Sequence, residues 1–217
     1  MNKSVISWAL YDVANTAFNL GVVGLFLPLW INRRQGTTDA DLGFPIAISM
    51  LIVLALSPFL GALTDQLRGR VGTLTLLNIA AAIFTFLIGF TEGIALGLVF
   101  FSIAFISVYL GELVYNAMLE SASTPQNRGR VGGIAIGLGY LGGLAVIALA
   151  LQYEGSTFNY KFEFQMIAVY FIVMAMPITF FFKENNPLKE DLGRSLWEST
   201  WGQIKSTQAY LVQHPRL

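Results

Sequence analysis

Long apolar runs separated by short polar turns set the pattern of this chain. A membrane-spanning helix needs about 20 mostly apolar residues. Six stretches reach that length: 8–31, 44–64, 72–90, 94–117, 131–151 and 165–182. The first is read as a retained helix and not as a cleaved signal peptide. Asp12, Asn15 and Asn19 interrupt its apolar core, and no small-residue cleavage site is evident. The pattern predicts an all-α membrane protein with a six-transmembrane-helix bundle over 1–182. Beyond Phe182 the composition changes, and Lys183-Glu184-Asn185-Asn186-Pro187 opens a solvated segment, 183–217. Within it Leu196, Trp197, Trp201, Ile204 and Leu211 recur near helical spacing. They predict an amphipathic helix over 194–212, lying at the membrane interface or docked under the bundle. The ending His214-Pro215-Arg216-Leu217 is expected to be a truncation before a further element.

Two of the polar turns are alike. Thr64-Asp65-Gln66-Leu67-Arg68-Gly69-Arg70-Val71-Gly72 and Thr124-Pro125-Gln126-Asn127-Arg128-Gly129-Arg130-Val131-Gly132 share Thr, Gln, Arg, Gly, Arg, Val and Gly in register. Each ends one apolar run and begins the next. With these turns, the N-terminus and the tail on one side, that side holds ten cations: Lys3, Arg68, Arg70, Arg128, Arg130, Lys183, Lys189, Arg194, Lys205 and Arg216. The other side holds three, Arg33, Arg34 and Lys161. The positive-inside rule then places both termini in the cytoplasm.

Composition narrows the function classes. The chain has 217 residues, 55% hydrophobic and only 12% charged. Soluble domains carry about 25% charged residues, so the bilayer is the expected solvent and first partner. Zero net charge leaves no basic footprint for nucleic acid. Without cysteine there are no disulfides, thiolate metal sites or cysteine nucleophiles, and the single histidine, His214, stands at the tail. No cofactor or metal is expected.

Polar residues inside the spans carry the candidate chemistry. Asp12, Asn15, Thr16 and Asn19 fall at i, i+3, i+4 and i+7, on one face of the first helix. Tyr109, Glu112 and Asn116 form a similar set on the fourth. An ionisable group at the centre of a membrane helix costs about 2.5–3.5 kcal/mol on insertion scales. Such groups usually face the bundle interior or a wet cavity. Asp12 and Glu112 each lie four to five residues inside the cytoplasmic end of their helix, a depth of roughly 6–8 Å at about 1.5 Å per residue. They can therefore share one cavity wall, binding a polar solute or a proton. The competing reading is hydrogen bonding between helices, or a depth shallow enough to reach water. Gly133, Gly137, Gly139 and Gly143 make two Gly-x-x-x-Gly pairs in the fifth helix, a packing signal that brings helix backbones close. Pro28, Pro45, Pro58 and Pro177 are expected to kink or start helices.

Six helices, two arginine turns and a cytoplasmic linker resemble the N-terminal half of a major facilitator superfamily transporter. That superfamily carries Gly-x-x-x-Asp-(Arg/Lys)-x-Gly-(Arg/Lys) between its second and third helices, and Gly61, Asp65, Gly69 and Arg70 resemble it. Here one extra residue separates Asp65 from Gly69, and Gln66 stands where a cation is expected. Trp8-Ala9-Leu10-Tyr11-Asp12-Val13-Ala14-Asn15-Thr16-Ala17-Phe18 looks like the opening of the vacuolar-effluxer branch, related to the autophagy amino-acid exporters of yeast. Arg128-Gly129-Arg130-Val131, followed by Gly137-Leu138-Gly139-Tyr140-Leu141-Gly142-Gly143, is similar to that branch's fifth helix.

The resemblance implies a half-domain of two inverted three-helix repeats, in which helices one and four are equivalent and both line the transport path. It implies a missing C-terminal six-helix half as partner. It also implies export of a small polar solute, with amino acids the first candidate class. Asp12, Asn15, Asn19, Glu112 and Asn116 would form the solute or proton pathway. Asp65 and Glu120 would pair with Arg68, Arg70, Arg128 or Arg130 as a cytoplasmic gate. Loosely solvated pairs contribute only about 0–1 kcal/mol, which suits a switch, although topology anchoring alone would also explain those cations. Two other classes compete with transport. A stand-alone scaffold or partner subunit needs no transport of its own. An intramembrane enzyme using Asp12 and Glu112 lacks a nucleophile box, a metal cluster or a phosphate loop, so no enzymatic activity is expected. A bacterial plasma membrane is favoured over a vacuole.

Overall fold

A computed structural model describes residues 3–32, 40–66, 69–151, 159–184 and 201–202. Six helices in it are long and apolar enough to cross a membrane: α1 (Lys3–Asn32), α2 (Ala40–Gln66), α3 (Arg70–Ile88), α4 (Ile94–Ala122), α5 (Arg128–Leu151) and α6 (Tyr160–Phe181). No strand occurs among the described residues. The chain is an all-helical, multi-pass membrane protein.

Most helices run past the apolar stretches that announce them. α4 continues to Ala122 and α6 begins at Tyr160, because helical hydrogen bonding persists where the chain leaves the apolar slab and meets polar side chains. The α6 start is capped: the Asn159 side chain accepts the Phe162 N–H at 3.4 Å, satisfying a donor that has no partner within the helix. Pro45 and Pro58 lie inside α2 and Pro177 inside α6. The amphipathic helix expected over 194–212 falls outside the described residues, apart from a helical pair at Trp201 and Gly202.

α1 is not uniform. Phe18–Phe26 winds as a π-helix, with the Leu27 N–H reaching back to the Val22 carbonyl. Pro28 follows at once. Its ring has no N–H to donate and crowds the carbonyl four residues earlier, and the wider π winding opens that turn.

The helices pair in a pattern that repeats. α1 packs mainly on α5 and α6, α4 mainly on α2 and α3, and α3 rests on α6. Exchanging α1 with α4, α2 with α5 and α3 with α6 returns the same pairing, as two related three-helix units require. Large side chains fill the centre. Phe18 meets Phe171 edge-on at 6.1 Å, Trp30 meets Phe164 at 6.3 Å, and Phe101, Phe105 and Met118 are fully buried. Glycines set two close approaches: a Cβ on Gly21 would collide with Ile167, and one on Gly97 with Trp30. By contrast α2 and α5 expose apolar side chains such as Phe44, Leu51, Leu54, Tyr140, Leu141 and Leu144.

Candidate functional site

The site is the strip where α1 faces α4. Nearest the start of α1, the Trp8 indole N–H donates to the Tyr115 carbonyl at 3.2 Å, and the two rings stack 4.5 Å apart at 12°. Tyr11 adds a third ring, 4.5 Å from Tyr115. Tyr11 is wholly buried, with its hydroxyl over Gly111, where a Cβ would sit 3.0 Å away. Offset ring pairs of this kind contribute about 0.5–1.5 kcal/mol beyond area burial. This aromatic clasp fixes the register of α1 against α4.

One turn on lie the two carboxylates. Asp12 and Glu112 are both half-buried, and lie near one another where α1 faces α4. Asp12 also borders α5: a Cβ on Gly139 would collide with Asp12 Oδ2 and lie 2.7 Å from Thr16 Oγ1. A further turn on, Asn19 Nδ2 donates to the Asn15 carbonyl at 3.1 Å, and the Tyr109 hydroxyl donates to Asn19 Oδ1 at 3.1 Å. Asn15 itself is buried. The strip thus offers two carboxylate acceptors, an amide pair and phenolic hydroxyls, all from facing helices. Such groups can bind a polar solute or hold a proton. Among the described residues no group of three or more His, Cys, Asp or Glu could hold a metal ion.

The structure brings Asp12, Asn15, Asn19, Tyr109 and Glu112 together. Asn116 lies on the same side of α4 as Glu112 but is exposed, and so is Glu120 one turn beyond it. Glycine packing is redistributed. Gly139 and Gly143 face α1, Gly143 meeting Leu20, and Gly142 joins them against Val13. A Cβ added at Gly133 or Gly137 would meet nothing within 4 Å among the described residues. The α1–α5 approach uses glycines at i, i+3 and i+4 on one face, Gly139, Gly142 and Gly143.

At the arginine turns the Asp65 side chain and Arg68 lie outside the described residues. Arg70 Nη1 donates to the Ala117 carbonyl at 3.0 Å, and its backbone N–H donates to the Glu184 carboxylate at 3.0 Å. Gly69 precedes it at φ +151°, a conformation only glycine adopts readily. Arg128 and Arg130 are exposed at the start of α5. Ser4 Oγ accepts the Lys183 N–H at 3.2 Å. Together these bonds tie the ends of α1, α3, α4 and α6 that lie nearest the first arginine turn.

Two residues went unread in the sequence. Glu184 caps α3 from across the bundle. Glu163, in the first turn of α6, has no exposed surface, and neither carboxylate oxygen has a hydrogen-bond partner among the described residues. Both sit at span edges, where hydropathy alone marks them as loop.

Fold and site together define a membrane-embedded helical half-bundle whose central helix pair carries a polar strip. Comparison with known proteins gives the family. The profile of the Major Facilitator Superfamily matches residues 13–213, and the chain belongs to that superfamily. It is 28% identical over 173 residues to an uncharacterized protein of Aquifex aeolicus (strain VF5), covering 79% of this chain and 43% of that protein. It is 30% identical over 166 residues to the uncharacterized MFS-type transporter YxiO of Bacillus subtilis (strain 168), covering 68% of this chain and 38% of that protein. The chain therefore spans less than half the length of either relative. No solved structure matches.

Proposed function

We propose that this chain is the N-terminal half of a secondary transporter that moves a small polar solute by alternating access. The observation that carries this reading is the Asp12–Glu112 and Asn19–Tyr109 strip, built across two helices that occupy equivalent places in the repeated pairing pattern. Family membership supports transport as the activity, and the short coverage of both relatives supports a second half in the complete protein. Within the reading, Asp12 and Glu112 take the proton or the cationic end of the solute, and Asn15, Asn19 and Asn116 order its polar groups. Arg70 and Glu184, with Asp65, Arg68, Glu120, Arg128 and Arg130, form the cytoplasmic gate. Both termini are cytoplasmic, in a bacterial plasma membrane. The likeness to the vacuolar-effluxer branch, seen in Trp8 to Phe18, favours amino-acid export.

The test is flux of a radiolabelled amino-acid panel in proteoliposomes holding the complete natural protein, with and without an imposed proton gradient. Asp12→Asn and Glu112→Gln should each abolish gradient-driven flux while leaving exchange of solute across the bilayer measurable. Gradient dependence that survives both substitutions removes the carboxylates from coupling. Failure of every amino acid to move contradicts the solute class.

A further inference from the structure

α3 and α6 are pinned to one another at both ends. At one end Gly89 lets the Lys161 backbone approach, since a Cβ there would lie 2.8 Å from the Lys161 carbonyl oxygen. At the other end the Thr75 and Thr179 hydroxyls share a hydrogen bond of 2.7 Å. Between these pins the facing residues are small, Ala82 and Ala168, and the flanking ones are large: Ile79, Ile83, Phe86 and Val169. Two helices held at their ends, with alanines in the middle, leave a groove of about 290 Å³ with a wholly apolar lining. It opens on the outside of the bundle. It shares no residue with the strip between α1 and α4.

The charge at its mouth says what enters. Lys161 is exposed, and its ammonium stands 4.4 Å above the Phe90 ring. That ring lies 5.6 Å from Phe86, a wall of the groove. Lys161 is therefore one ring away from the apolar channel, at the helix ends where a bilayer's headgroups begin. The channel runs from there toward mid-membrane, from Phe86 down to Ile79, a reach of roughly 10 Å at about 1.5 Å per residue. A helix, about 10–12 Å across with its side chains, would rest on top of a groove this narrow. A single alkyl chain fills it. An exposed ammonium makes charge-assisted hydrogen bonds to a lipid phosphate, and an exposed apolar groove within a membrane span is lined with hydrocarbon in any case.

We infer that the α3–α6 groove is a specific site for an anionic phospholipid, with one acyl chain lying over Ala82 and Ala168 and the headgroup phosphate on Lys161. The site is independent of the transport reading.

Native mass spectrometry of the purified full chain, titrated with phosphatidylglycerol or phosphatidylcholine of identical acyl chains, tests it. Wild type should retain one phosphatidylglycerol in preference to phosphatidylcholine. Lys161→Gln should lower that preference about fivefold, as the loss of one surface cation implies. Val169→Trp, at a position 53% exposed, fills the groove without entering the core and should abolish retention of both lipids. Leu76→Trp, 69% exposed on α3 and outside the groove, should retain lipid as wild type does. Equal lipid retention by Val169→Trp and wild type overturns the site. So does a dimer mass that Val169→Trp dissolves, because a second copy of the chain would then own this face.

Discussion

Gly139 shows how little space separates function from packing at the residue scale. Its missing side chain is the room that Asp12 and Thr16 occupy, and Gly142 does the same for Val13. Forcing extra methylenes into a filled site costs about 1–3 kcal/mol. Gly142→Ala should therefore lower the thermal midpoint in detergent by that order, whereas Gly137→Ala, with nothing within 4 Å, should be neutral or slightly stabilising. Equal midpoints for the two variants would contradict the α1–α5 contact. Tyr109→Phe removes the donor to Asn19 Oδ1. Interhelical hydrogen bonds in membranes contribute about 0.6 kcal/mol on average, so stability should barely move while the solute KM rises. A KM equal to wild type would make this bond structural. Helical spacing made Asp12, Asn19, Tyr109 and Glu112 readable, because ionisable and amide groups stand out in an apolar run. Glu163 was not readable: it lies two residues outside the 165–182 stretch, and only the folded chain shows that it is buried.

Among the elements, the start of α3 is the clearest case of a local structure fixed from far away. Arg70 supplies a backbone donor that needs an acceptor, and the acceptor is Glu184, 114 residues later. No local window reveals that pairing. Removing a side-chain cap costs about 0.5–2 kcal/mol, so Glu184→Ala should raise hydrogen-exchange rates at the Arg70 to Gly72 amides and leave those of α4 unchanged. Unchanged exchange at α3 would show that the cap holds nothing. Six spans and their order were legible because each run exceeds what a buried soluble helix uses. Their ends were less so, since α4 carries its helical bonding five residues past the expected end at 117. The π segment of α1 was not foreseen. Pro28 signalled a disturbance, but its form depends on Phe18, Val22 and Phe26 finding room in the core.

For the whole molecule, the pairing of helices matters more than any one contact. A bundle whose contacts survive exchange of its two three-helix units places α1 and α4 in equivalent positions, and the polar strip lies between them. Repeat architecture was expected from the family resemblance, not from composition. The exposed apolar faces of α2 and α5 and the 43% and 38% coverage of the relatives fit a protein whose transport path is completed by a second set of helices. The most direct test is radiolabelled amino-acid flux into proteoliposomes, comparing the 217-residue chain with a version extended through its natural downstream sequence. The account predicts flux only from the extended protein, driven by a proton gradient. Flux from the shorter chain alone would contradict it, and would mean that this bundle forms a complete carrier by self-association.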